Sequence, residues 1–213
     1  RVNVSLDTVR AADFAAITRR DRLTDVIAGL EAARAAGLDP VKVNAVLLRG
    51  INDDQAPELL RWCLERGFQL RFIEQMPLDP QHSWNRAMMI TRAEILDRLA
   101  QSGFHLAPVG DRGSAPAEEF LVDGGPATVG VVGSVTRPFC AACDRVRLTA
   151  DGHWRNCLFA QSEGDLRTPL RTGASDEDLM DVMLGETGRK RRGHGIDEPA
   201  FRQPDRPMSA IGG

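Results

Sequence analysis

The sequence predicts an α/β fold: parallel strands joined by crossover helices up to about residue 100, then a smaller α+β region over residues 101–213. Three observations predict it. Strand-like and helix-like hydrophobic periods alternate three times between Val2 and Met76, which implies parallel strands linked by helices. Further along, Gly-rich and Val-rich stretches replace that alternation, the pattern of antiparallel hairpins. Three of the four cysteines fall within residues 140–157, and such clustering points to a metal or cluster site.

Taken in order, Val2, Val4 and Leu6 alternate with polar residues as a strand does. Leu23, Val26, Ile27, Leu30 and Ala33 share one helical face, and Gly37 stops that helix. VKVNAVLL (41–48) is the second strand, with Lys42 and Asn44 on one face, and GINDDQ is a polar loop. The next helix buries Leu59, Leu60, Cys63 and Leu64, and ends near Gly67. QLRFIEQM (69–76) is the third strand, broken by Pro77 and Pro80. Three such units do not complete a barrel, so residues 1–100 read as the C-terminal half of a partial one. Chemistry in such sheets sits at the C-terminal ends of the strands. Thr91 and Glu94 form a capping box ahead of a short helix stopping at Gly103. FLVDGGPATVGVVGSVT suggests hairpins, and Ser175 to Asp178 another helix start. GRKRRGHG (188–195) is a basic loop, and from Pro199 the composition is Pro-rich and polar, that of a disordered tail.

The 213 residues are 42% hydrophobic and 27% charged, ordinary for a globular protein. A net charge of −3 gives no reason to expect nucleic acid or an acidic membrane as partner. No apolar run approaches the roughly 18 residues a membrane helix needs. The chain opens on Arg1 directly into a strand-like segment, so it reads as a fragment. Clustered cysteines without a disulfide framework suit a reducing compartment, hence the cytoplasm.

The informative segment is RPFCAACDRVRLTADGHWRNCLF (137–159). Cys140-x-x-Cys143 leads into a β-prone run, Asp151-Gly152 is a turn signal, and HWRNCLF returns. A two-residue turn there pairs Cys157 near Val146 and brings all three thiols together. Two ligands suit them: a [4Fe–4S] cluster with one open iron, or zinc with His153 as fourth ligand. Three unrelated buried thiols are a third reading, and Cys63, on an apolar helical stripe, is a core cysteine. Arg145 and Arg147, two apart on a strand, face one way and suit a multiply charged anion; a solvated strand face is the alternative. Lys42, on a central strand, needs an anionic ligand or an internal ion pair. Arg189, Lys190, Arg191 and Arg192 read as a solvated loop.

Several segments together, RVNVSLD, VKVNAVLLRGINDD, FIEQMPL, RPFCAACDRVRLTADG, CLF and MSAIGG, resemble the GTP 3′,8-cyclases of molybdenum cofactor biosynthesis, a radical-SAM family. The composite F-C-x-x-C-x-R-x-R-L-T-x-D-G followed by C-L-F is its most specific part. The resemblance implies an incomplete TIM-like barrel with a C-terminal region carrying a second [4Fe–4S] cluster on Cys140, Cys143 and Cys157. It implies that Lys42, Arg145, Val146 and Arg147 bind GTP, and that Ser5 and Met76 contact S-adenosylmethionine. Arg145, Arg147 and the terminal Gly212 and Gly213 are implied in catalysis, the glycines threading towards the pocket by backbone alone. The implied reaction converts GTP to (8S)-3′,8-cyclo-7,8-dihydroguanosine 5′-triphosphate, which cyclic pyranopterin monophosphate synthase consumes next; a homodimer is one assembly open to it. The family has Asn where this chain has Asp144, a carboxylate that could pair with an arginine. The family's C-x-x-x-C-x-x-C, holder of the SAM-cleaving cluster, does not occur in these residues, so the chain alone is expected to be inactive. A radical-SAM enzyme acting on peptides and a zinc-ribbon binding module are the competing readings.

Overall fold

The computed structural model describes residues 1–211, so the predicted roles of Gly212 and Gly213 fall outside the described residues. The chain forms two compact units. The first comprises Arg1–Gln75 with Asn85–Arg137, the second Met76–Trp84 with the chain from Pro138 onward.

The first unit is built on one six-stranded sheet in the order β1-β2-β3-β6-β5-β4. Its strands are β1 (Val2–Ser5), β2 (Val41–Val46), β3 (Gln69–Ile73), β4 (Leu106–Pro108), β5 (Glu118–Val122) and β6 (Thr128–Val132). β1, β2, β3 and β6 run parallel, and β5 and β4 add antiparallel at the edge. The change of character near residue 100 is therefore a change of strand direction within one sheet. The compact unit continues to Arg137, whereas the sequence placed the boundary near residue 100. β6 joins the parallel set because its Val129, Val131 and Val132 are buried beside β3.

Helices α1 (Ala11–Thr18), α2 (Leu23–Ala35), α3 (Ala56–Glu65) and α4 (Arg92–Gln101) supply the crossovers. α4 starts at the predicted capping box, where Thr91 and Glu94 satisfy each other's backbone N–H groups. Leu30, Leu59, Leu60, Ile95 and Leu99 pack on Val41, Val43, Ala45, Leu70 and Phe72 as one core. Each such leucine contributes about 1.5–3 kcal/mol by leaving water. Cys63 lies in that core, fully buried, and burial pushes its thiol up to about 12. It is a packing residue, as its helical stripe predicted.

Strand alternation puts Asn3, Ser5, Lys42, Asn44 and Arg71 on the opposite face of the sheet. The register sets Asn3 beside Lys42, Ser5 beside Asn44, and Asn44 beside Arg71. At the end of β3 the buried carboxylate of Glu74 accepts from the backbone N–H groups of Arg92, Val135 and Thr136. Those bonds fix the chain as it leaves β6.

The second unit holds a three-stranded sheet, β7 (Arg147–Leu148), β8 (His153–Arg155) and β9 (Gly164–Asp165), with helices α5 (Arg167–Arg171) and α6 (Asp176–Gly188). α6 begins at a second capping box, Ser175 with Asp178. The Pro-rich run after Pro199 is not a frayed tail. Gln203 Nε2 donates to Asp79 O at 2.7 Å, Met208 N to Leu78 O at 3.1 Å, and Ile211 is fully buried. No helix among the described residues is long and apolar enough to cross a membrane.

Candidate functional site

The three clustered cysteines ride on a single-turn knuckle and a hairpin in the second unit. Phe139–Cys143 makes a tight turn, with Cys143 N donating to Cys140 O. The hairpin pairs Arg147 with Arg155 and Leu148 with Trp154. Its loop is three residues, Ala150 to Gly152, closed by Thr149 N donating to His153 O. The two-residue turn expected from Asp151-Gly152 is thus corrected by one residue, which brings Cys157 level with Arg145 and not with Val146. Gly152 is the reason: its φ of +84° is a left-handed conformation, and a Cβ there would lie 2.7 Å from Arg167 Cβ.

All three thiols are free and half-buried. They act on one another: burial and then the charge of Cys157 raise the Cys140 thiol, with Cys143 adding to it and the His194 backbone N–H opposing. Burial would also raise Cys143, but a hydrogen bond from the Arg145 side chain at 3.2 Å leads the opposing effects, and its thiol ends below the ordinary value. Phe159 N donates to Cys157 Sγ at 3.4 Å. Each of the three sulfurs thus has a hydrogen-bond donor close by, surroundings that suit sulfur ligands of a metal group.

Among the described residues no group of three His, Cys, Asp or Glu side chains is arranged to hold a metal ion. His153 does not complete a zinc site. It stands at the turn end of β8, four residues before Cys157 in sequence, with Nδ1 3.3 Å from Asp151 Oδ2. By the chemistry of the donors alone, three cysteine sulfurs are what a cluster would take, each on a separate iron.

Arg145 precedes β7 instead of lying in it. Its guanidinium stands 4.3 Å from the Phe139 ring centroid, a cation–π contact. Burial, and then the charge of Arg145, lower the Arg147 guanidinium, which stays charged at neutral pH. The two arginines share one neighbourhood with the thiols without sharing a strand face. Val146 is half-buried between them. Asp144 is exposed and makes no ion pair among the described residues, so the expected pairing with an arginine does not form.

In the first unit Lys42 is half-buried near the start of β2, and Ser5 is exposed at the C-terminal end of β1. No hydrogen bond or ion pair engages Lys42 among the described residues, so the internal ion pair weighed for it is not made. Lys42 lines a cavity of about 320 Å³ with Arg71, Asp111, Arg112, Ala117 and Glu119. Arg71 was missed from the sequence, although its place two residues from Gln69 in a strand put it on the Lys42 face. Met76 belongs to the second unit and is half-buried.

Two further residues escaped sequence reasoning. Lys190, read as part of a solvated loop, is half-buried and donates to two backbone carbonyls, Arg145 O and Asn156 O. Arg155, buried, pairs with Glu163 and donates to Ala160 O at 2.7 Å, holding the loop after Cys157. Nothing in a basic run or a lone strand arginine distinguishes such residues before the hairpin is folded.

A partly parallel sheet with crossover helices, followed by a second unit in which three cysteines stand near two arginines, defines an α/β protein. The chain belongs to the family described as Molybdenum Cofactor Synthesis C, which matches residues 68–196. Residues 1–63 match the Radical SAM superfamily. A GTP 3′,8-cyclase of Streptomyces coelicolor is 60% identical over 215 residues, covering 100% of this chain and 63% of that protein. One of Mycobacterium sp. (strain KMS) is 59% identical over 214 residues, with 100% and 61% covered. One of Mycolicibacterium smegmatis is 58% identical over 218 residues, with 100% and 60% covered. The chain spans about three-fifths of the length of the curated relatives it matches.

Proposed function

We propose that this chain is the substrate-holding and cluster-holding part of a radical-SAM GTP 3′,8-cyclase acting in molybdenum cofactor biosynthesis. One observation carries the reading: Arg145 and Arg147 stand within electrostatic reach of three free, hydrogen-bonded cysteines. That arrangement joins a cluster ligand set to a receptor for a polyphosphate. The relatives' name supplies the reaction, and the family match supplies the pathway.

In this reading Cys140, Cys143 and Cys157 hold a [4Fe–4S] cluster, and Arg145, Val146 and Arg147 hold GTP beside it. Such a cluster supplies an open iron to which a purine can bind as a Lewis base. Arg147 is charged and half-buried, so it attracts the triphosphate in surroundings where water screens little. Lys42 offers an unengaged ammonium on the polar face of the sheet, and the Asn44 Oδ1 beside it is buried without a partner. Both suit a polar ligand. Ser5 in the first unit and Met76 in the second are, each taken by itself, candidate contacts of S-adenosylmethionine, the source of the radical, and β1 to β3 form part of an incomplete TIM-like barrel. A catalytic role for Gly212 and Gly213, which lie outside the described residues, belongs to the same reading. Cyclic pyranopterin monophosphate synthase takes the product onward.

Anaerobic reconstitution tests the reading. The chain is expected to turn brown with bound iron and sulfide, and to bind GTP. Cys157→Ser loses the iron while Cys63→Ser keeps it, and Arg147→Ala weakens GTP binding about tenfold or more. A colourless chain holding one zinc and no sulfide overturns the cluster.

A further inference from the structure

We propose that Lys190 is a positioning residue of the cysteine site: its ammonium ties the knuckle arm to the returning arm and sets the separation of Cys143 and Cys157. The proposal rests on the cluster reading above and deepens it.

Strand pairing in the hairpin ends at Arg147 with Arg155. Beyond that point an ordinary antiparallel ladder would keep opposed residues about 4.5–5.5 Å apart. A polynuclear group between Cys143 and Cys157 needs more room, so the arms have to leave the ladder. Free arms would then fray. Lys190 supplies the cross-link at this place: Nζ donates to Arg145 O at 2.6 Å on one arm and to Asn156 O on the other. Arg145 is two residues after Cys143, and Asn156 directly precedes Cys157. An ammonium has three donors and no acceptor, so one point charge can hold two carbonyls that cannot bond to each other.

The lysine is itself held. It follows α6, whose N-terminus is fixed by its capping box. Near the other end of the helix, Glu186 is buried; its backbone O accepts from Asn156 Nδ2 at 2.7 Å, and its carboxylate from Ser162 Oγ at 2.9 Å. Four residues after Lys190, the His194 backbone N–H reaches Cys140. The segment from Glu186 to His194 thus touches both arms and the knuckle. A solvated basic loop would make none of these bonds.

The test uses this 213-residue chain, reconstituted anaerobically, with Lys190→Met, Lys190→Arg and Cys157→Ser. Iron and sulfide per chain, the rate of iron loss to a chelator, and the cluster's reduction potential are measured. Lys190→Met, which keeps an unbranched stem one atom shorter but removes charge and donors, is expected to lose iron about tenfold faster or more. Its potential is expected to fall, because a nearby positive charge favours the reduced cluster. Lys190→Arg stays within about twofold of the parent in iron loss and keeps its potential. A merely structural lysine would alter melting and iron loss but leave the potential of the bound cluster unchanged. Parent-like iron loss and potential in Lys190→Met overturn the proposal. If Lys190→Met takes up no cluster, Lys190→Arg decides: restored uptake supports the proposal and unrestored uptake overturns it. Full iron in Cys157→Ser would instead overturn the three-thiolate reading, whatever Lys190 does.

Discussion

Arg206 closes a forked ion pair on Asp151, with Nη1 to Oδ1 at 3.0 Å and Nη2 to Oδ2 at 2.7 Å. Its Nε reaches Glu163 Oε1 at 2.9 Å, and Glu163 in turn pairs with Arg155. The hairpin loop, the chain after Cys157 and the Pro-rich C-terminal run are therefore joined by one charged network. A planar guanidinium fits this role because its donors match a carboxylate in pairs.

Arg206→Gln is expected to release that run without unfolding the unit. Hydrogen exchange should accelerate severalfold at the Met208 amide, which bonds to Leu78 O. The hydrogen bonds from Arg206, first, and from Thr149 hold the Asp151 carboxyl well below the usual carboxylate range. A depressed folded pKa means the docking is intact above the ordinary carboxylate value and is lost as pH falls below it. Both groups are partly exposed, so added salt should weaken the effect. Unchanged exchange in Arg206→Gln at neutral pH and low salt would remove the ion pair from the docking.

Glu94 makes a second acid-sensitive point, in the first unit. Burial opposes its ionisation, but the Thr91 backbone N–H, Arg49 and the Thr91 hydroxyl outweigh it and bring the carboxyl to about 2. The capping box therefore stabilises α4 above about pH 4.5, the ordinary value, and weakens as pH falls towards 2. Glu94→Gln should flatten this dependence between those limits, measured as urea midpoint against pH. Exposure limits the effect to less than about 1 kcal/mol.

Glu74→Ala strands the buried N–H of Val135 and leaves those of Thr136 and Arg92 without their acceptor. Each unsatisfied buried donor costs about 1–3 kcal/mol, so a loss of more than ~2 kcal/mol in urea unfolding is expected. Exchange at Val135 should quicken more than at Val43, in the middle of the sheet.

Gly152→Ala meets both a left-handed φ of +84° and the Arg167 side chain. A cost of about 1–3 kcal/mol is expected, with faster iron loss after reconstitution, since the loop sets the hairpin register. Gly173→Ala, also left-handed but with nothing near its Cβ, separates the two causes: it should destabilise less, and leave iron retention unchanged.

Much of the fold was legible because it depends on local period. The strands at Val2, Val41 and Gln69, the helix over Leu59 to Leu64 and the capping box at Thr91 each follow from neighbours in sequence. The hairpin carrying Cys157 was legible too, but its register was not. Asp151-Gly152 fits a two-residue turn and a three-residue loop equally well, and the choice falls to Gly152 against Arg167, fifteen residues away.

By itself the sequence determined the alternation of β and α, the burial of Cys63 and the candidate ligand set of three clustered cysteines. Spacing and hydrophobic period are short-range properties, and those features need nothing more. Only the tertiary structure decided that β6 crosses into the parallel sheet, that His153 stands beside Asp151, and that Lys190 and Arg206 are bound instead of solvated. A charged side chain in a loop carries no mark of its partner. Whether it is hydrated or holds two chain segments together depends on carbonyls and carboxylates brought to it from 34 to 55 residues away.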